Sequence, residues 1–187
     1  MSLISDREVE SELQSQLLSG ERFLWAGRPK TGILLRSSDV FLIPFSLLWG
    51  GFAIFWESTV LMSGAPGFFA IWGIPFVVIG LYFIFGRFLT DAQMRGNTRY
   101  GITADRIIIR SGLFSPSVSS LNIRTLSDIT FEEKSDGSGT ILFGPADPRS
   151  SMMNGMQWPG VKQPAQLQFI PEVRQVYELI VKSQQSK

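Results

Sequence analysis

The sequence contains no cysteine and no histidine. Without cysteine there is no disulfide framework and no thiolate metal site. Without histidine the commonest metal ligand and the commonest general base are both missing. Charge is scarce too, at 18% of 187 residues against a usual ~25%. The shortage is local. From Val40 to Gly86 the only Asp, Glu, Lys or Arg is Glu57, and the other 140 residues carry 32 charges, about 23%. An apolar block is therefore set inside an ordinary soluble composition, which excludes a disordered chain. The net charge of +1 gives no reason to expect nucleic acid as a partner.

The block divides into two runs. Val40 to Trp56 is 17 residues without a charge, and continuing past Glu57 to Leu61 makes 22. At ~1.5 Å per residue this is ~33 Å, enough for a ~30 Å hydrocarbon core. Gly67 to Phe85 is a second run of 19, and the intervening Ser63-Gly-Ala-Pro-Gly67 is turn-forming. The reading is a transmembrane helical hairpin over residues 40–90, with helices at about 40–61 and 67–89. Pro44 and Pro75 are tolerated in membrane helices when neighbours satisfy the freed carbonyls. Gly50 and Gly51 on the first span, with Gly73 and Gly80 on the second, are the expected helix–helix contact, since small residues let backbones approach. Glu57 stands beside Trp56 and Ser58 at the far end of its span. That placement favours headgroup-level water over a proton or ion site.

Lys and Arg fall on one side only. Arg22, Arg28, Lys30 and Arg36 precede the hairpin, Arg87, Arg95 and Arg99 follow it, and the link has none. The positive-inside rule then puts both termini in the cytoplasm of a multi-pass inner-membrane protein. Arg28, Lys30, Arg36, Arg87, Arg95 and Arg99 form a basic collar suited to anionic headgroups. The acidic start of the chain, with Asp6, Glu8, Glu10 and Glu12, is unlike a signal peptide.

Ser5-Asp6-Arg7-Glu8 fits a helix capping box, and Val9, Leu13 and Leu17 follow at four-residue steps towards Gly20. Residues 1–20 are thus expected as an amphipathic helix that docks on protein. Residues 21–39 form a pre-membrane segment, in which Phe23 to Ala26 is either a further strand or lies at the membrane surface. Arg87 to Arg95 prolongs the second helix, with exposed Arg87–Asp91 and Asp91–Arg95 pairs. From Thr98 the period becomes two. Strands are expected at 98–103, 106–110, 118–123, 126–134, 139–143 and 165–170, with a hairpin around Asp136-Gly-Ser-Gly139. Residues 144–164 form a long loop whose Met152, Met153 and Met156 suit adaptable contacts. After Pro171, Val173, Val176, Tyr177, Ile180 and Val181 mark an amphipathic helix.

Several segments in this order resemble bacterial membrane proteins that carry a pleckstrin-homology-like (PH-like) domain on a two-helix membrane hairpin. They are Gly20-Glu21-x-x-Leu24-Trp25-x-Gly27-x-Pro29, Tyr100-x-Ile102-Thr103-x-x-Arg106 with Ile107-Ile108-Ile109 and Gly112, Asp136-Gly137-x-Gly139-Thr140-Ile141, and Phe169 with Val176-Tyr177-x-x-Ile180. The resemblance implies a membrane α+β protein. Its PH-like domain, residues 95–187, would be an antiparallel barrel of seven bent strands closed by the C-terminal helix. It carries over no catalytic residue, no cofactor and no metal site. No compact Lys/Arg cluster in a strand loop supports phosphoinositide binding. With no histidine or cysteine, binding is a better expectation than catalysis. The expected role is a non-enzymatic, membrane-anchored adaptor or accessory subunit whose PH-like domain binds a protein partner, possibly a larger membrane complex. The alternative is a module that senses anionic lipid.

Overall fold

The structure is a computed structural model that describes residues 5–36, 38–112, 115–144 and 165–185. The Met152, Met153 and Met156 loop lies outside the described residues. The chain divides into two compact units, one of residues 1–32, 93–146 and 163–187, the other of residues 33–92 and 147–162.

The first unit begins with α1 (Arg7–Leu13), followed by a single 3-10 turn over Gln14–Gln16. Its cap is Asp6, whose side chain accepts from the N–H groups of Glu8 and Val9. The expected cap, Ser5, is diverted: Ala26 N donates to Ser5 Oγ at 2.9 Å, and Ser5 Oγ donates to Glu10. A side chain holding a neighbouring strand cannot also close the first helical turn. The helix also ends well before Gly20, with Leu17 extended.

Four strands form one antiparallel sheet in the order β1 (Trp25–Gly27), β2 (Arg99–Ile102), β3 (Arg106–Ser111) and β4 (Ser117–Asn122). The strand ahead of the apolar block therefore pairs with the strand after it, Trp25 opposite Ile102 and Gly27 opposite Tyr100. The pleat sends alternate residues to opposite faces. Tyr100, Ile102, Ile107 and Ile109 enter the main core. On the other face Gly101 leaves room for Leu13 and Phe23, since a Cβ there would lie 2.6 Å from the Phe23 ring. Val9 and Leu13 of α1 are buried there with Ala26.

The second sheet has the order β5 (Ile129–Glu133), β6 (Gly139–Phe143) and β7 (Gln166–Ile170), and α5 (Val173–Gln185) follows it. Ile141, Leu167 and Ile170 meet Val173, Val176 and Ile180 of α5 in the same core as the first sheet. Each such fully buried side chain contributes about 1.5–3 kcal/mol. The expected closed barrel is not formed. Instead of running on into β5, the chain leaves β4 through a 3-10 turn (Ile123–Thr125) that buries Ile123. Strand β4 is left as one edge of its sheet and β5 as one edge of the other.

The second unit contains α2 (Asp39–Met62) and α3 (Gly67–Leu81). A π-helical stretch (Tyr82–Gly86) and α4 (Arg87–Gly96) extend α3 into a helix of 30 residues. Both helices are long and apolar enough to cross a membrane. Apart from charged residues near their ends, they bury only Leu42, Ser46, Gly50 and Ala53 on α2 and Gly73 and Gly80 on α3. Large side chains such as Phe41, Leu48, Phe55 and Ile71 point outward, Phe41 at 79% exposure. A water-soluble hairpin rarely shows so much contiguous apolar surface.

Candidate functional site

The collar cations are held by partners within the chain. Arg28 donates to Asp6 at 2.9 Å and also pairs with Glu8. Lys30 Nζ donates to Asp136 at 2.7 Å, Arg36 to Asp91 at 2.7 Å, and Arg99 Nε to Glu12 at 2.8 Å. Arg87 pairs with Asp39 at 2.8 Å, and both are almost wholly buried. Arg95 donates to the carbonyls of Lys30 and Gly32, and its guanidinium lies 5.2 Å from the centre of the Phe169 ring. Arg87, Asp91 and Arg95 are buried rather than exposed, so α4 does not present them as a charged solvent face. The charges at the start of α2 are equally committed, because Asp39 Oδ2 accepts from Arg36 N at 2.7 Å.

These pairings set the local electrostatics. Asp6 and then Glu8 raise the Arg28 guanidinium far above its ordinary value. Hydrogen bonds from Lys30 and then Ser138 hold the exposed Asp136 carboxyl well below the usual carboxylate range. Arg106 donates to both oxygens of Glu21, at 2.9 and 2.7 Å. That bond lowers the Glu21 carboxyl, against a smaller opposing effect of burial.

Three of the four small residues expected between the helices lie at the contact. A Cβ on Gly80 would lie 2.8 Å from Gly50 Cα. A Cβ on Gly73 would overlap the Glu57 carboxylate. Gly51 does not take part, being exposed with nothing within 4 Å of a Cβ there. Glu57 itself turns towards α3, and its Oε2 is buried with no hydrogen-bond partner among the described residues. One of its carboxylate oxygens thus faces the helix contact.

The most exposed strand in the first unit is β4. Five of its six side chains are exposed, and none is charged. Only Leu121 packs against the core. Among the described residues no strand pairs with its outer edge. The same sheet carries a cavity of about 290 Å³ at the ends of β2 and β3, beside the start of β4. Arg110, Ser111 and Ser115 are among the residues that line it, and nothing in the sequence order sets Arg110 beside Arg99. The register that sets Arg110 opposite Arg99 was the missing information.

The family model described as Bacterial PH domain matches residues 40–182. No curated protein matches the chain, and no solved structure does.

Proposed function

Since the chain belongs to the bacterial PH domain family, we propose that it is a non-enzymatic adaptor or accessory subunit anchored in the bacterial inner membrane. The hairpin of α2 and α3 spans the bilayer, both termini lie in the cytoplasm, and the PH-like unit receives a protein partner in a larger membrane complex. The observation that carries this reading is the outer edge of β4. Exposed strand edges are normally blunted by charge, proline or a covering element. Strand β4 offers six uncharged residues, with Pro116 just outside it. An extended segment of a partner can add to such an edge by main-chain hydrogen bonds. Against the lipid-sensing alternative stands the internal pairing of all six collar cations.

Purification of the full chain in gentle detergent tests this. A protein should co-elute in fixed ratio with the native chain and be lost from V118K/S120K, whose two new charges face outward on β4. Thermal unfolding of that variant should be unchanged. The adaptor reading fails if nothing co-elutes, or if the charged variant retains its companion fully. Because the chain has no cysteine, single introduced ones report topology cleanly. An impermeant maleimide should label Ser63→Cys in intact cells and leave Gln185→Cys unlabelled.

A further inference from the structure

We propose that Glu57 is the docking point for a lysine on a membrane helix of the partner protein. This rests on the adaptor reading and names the chemistry of the partner's membrane-embedded part. Glu57 is the only Asp, Glu, Lys or Arg between Val40 and Gly86. It stands five residues before Met62, the last residue of α2, about 7.5 Å from that end at ~1.5 Å per residue. Among the described residues neither carboxylate oxygen has a hydrogen-bond or ion-pair partner. An ionisable group in a membrane helix is costly, and such groups are characteristically paired. The other acids of the two long helices follow that rule: Asp39 meets Arg87, and Asp91 meets Arg36. Glu57 alone lacks its cation.

The cation must come from another molecule. A second copy of this chain in the same orientation brings only a second carboxylate to that level. Its nearest basic residues in sequence, Arg36 and Arg87, belong to the opposite end of the helices, where Arg87 meets Asp39. The geometry selects lysine over arginine. Oε2 is enclosed in the seam, where a Cβ on Gly73 would overlap it and would lie 2.7 Å from the Trp56 ring. Glu57 as a whole is only half-buried, so Oε1 is the oxygen left to a partner. One oxygen suits the point charge of an ammonium, whereas a guanidinium fork is strongest when both oxygens accept. Lysine also carries its charge on a flexible stem that lies along apolar surface. The ammonium of a zwitterionic lipid is a poorer match, since its own phosphate already neutralises it. A lysine in an apolar helix needs an acid as much as Glu57 needs a base.

The test uses the full chain in the membranes of its own bacterium, treated with dicyclohexylcarbodiimide. This reagent enters the bilayer and converts a carboxyl group to an O-acylisourea. A lysine amine in contact then displaces dicyclohexylurea, and an amide bond forms. Mass spectrometry of the digest should find the Glu57 peptide joined to a lysine in an apolar segment of one other protein. That protein should co-elute with the native chain in gentle detergent and fall several-fold with Glu57→Gln, while Glu57→Asp keeps part of it. Replacing the linked lysine by methionine should cause the same loss and add nothing to Glu57→Gln. That replacement, made in the partner, decides the matter if Glu57→Gln folds poorly. A Glu57 peptide joined to a lipid amine or to no amine overturns the inference, as does full retention of the companion by Glu57→Gln. Full retention there, with loss from V118K/S120K, leaves the adaptor reading standing. Absence of any companion with the native chain removes both.

Discussion

The carboxylate of Glu57 on α2 occupies the space in which a side chain on Gly73 of α3 would begin. The acid and the glycine are therefore one feature. Gly73→Ala should force the helices apart or drive Glu57 from the seam, at about 1–3 kcal/mol for overpacking. Glu57→Ala should relieve the clash, so the two substitutions should be strongly non-additive. Unfolding of the four proteins in a double-mutant cycle measures the coupling. Independent, additive effects would separate the two residues.

The remaining glycines of the hairpin should differ in sign. In Gly80→Ala the new methyl meets backbone, Gly50 Cα at 2.8 Å, and cannot be accommodated by a side-chain rotation. Thermal stability should fall. Gly50→Ala meets the end of the Ile84 side chain, which can turn aside, so its cost should be smaller. Gly51→Ala meets nothing and replaces a helix-interior glycine, a change worth roughly 0.5–1 kcal/mol in favour of alanine. Its midpoint should hold or rise.

Arg87 and Asp39 are a buried ion pair, with side chains 3% and 7% exposed. Removing one partner leaves the other charge uncompensated, which typically costs about 3–5 kcal/mol. Asp39→Asn should therefore lower the unfolding midpoint sharply. Adding Arg87→Met should recover much of the loss, because it removes the buried charge left without a counterion. If the double variant is as unstable as the single one, the pair does something other than neutralise charge.

Glu21 and Arg106 tie the segment before β1 to the start of β3. The folded carboxyl titrates below its ordinary value, so this contribution is present above about pH 5 and is lost as pH falls through the folded value. Asp6 and Asp136 carry shifts of the same sign. Thermal midpoints should begin to fall below about pH 5 and go on falling as pH drops through the lowered folded values of these groups. Glu21→Gln should be less stable at pH 7 and lose less on acidification. An unchanged acid response would remove Glu21 from the acid transition.

Much of this protein was legible in its sequence. Charge depletion and length locate α2 and α3, because an apolar helix of that size is a property of consecutive residues. Alternation and turn residues locate the strands from Thr98 onward for the same reason. What sequence periodicity does not contain is partnership. Asp6 and Ser5 are both good caps, and the choice between them falls to Ala26, whose N–H donates to Ser5 Oγ from 21 residues away. Gly50 and Gly51 are equivalent as composition, and only the rotation of α2 against α3 puts one in the seam and the other outside. In sequence order the collar arginines show no acid partner beyond Asp91, expected exposed beside Arg87 and Arg95, because the acids they meet, Asp6 for Arg28, Glu12 for Arg99, Asp39 for Arg87 and Asp91 for Arg36, are distant in the chain. The charge pattern in sequence order determined where positive residues cluster. The tertiary structure decided which acid each of them takes, because neutralisation depends on distances of about 3 Å that no spacing along the chain encodes.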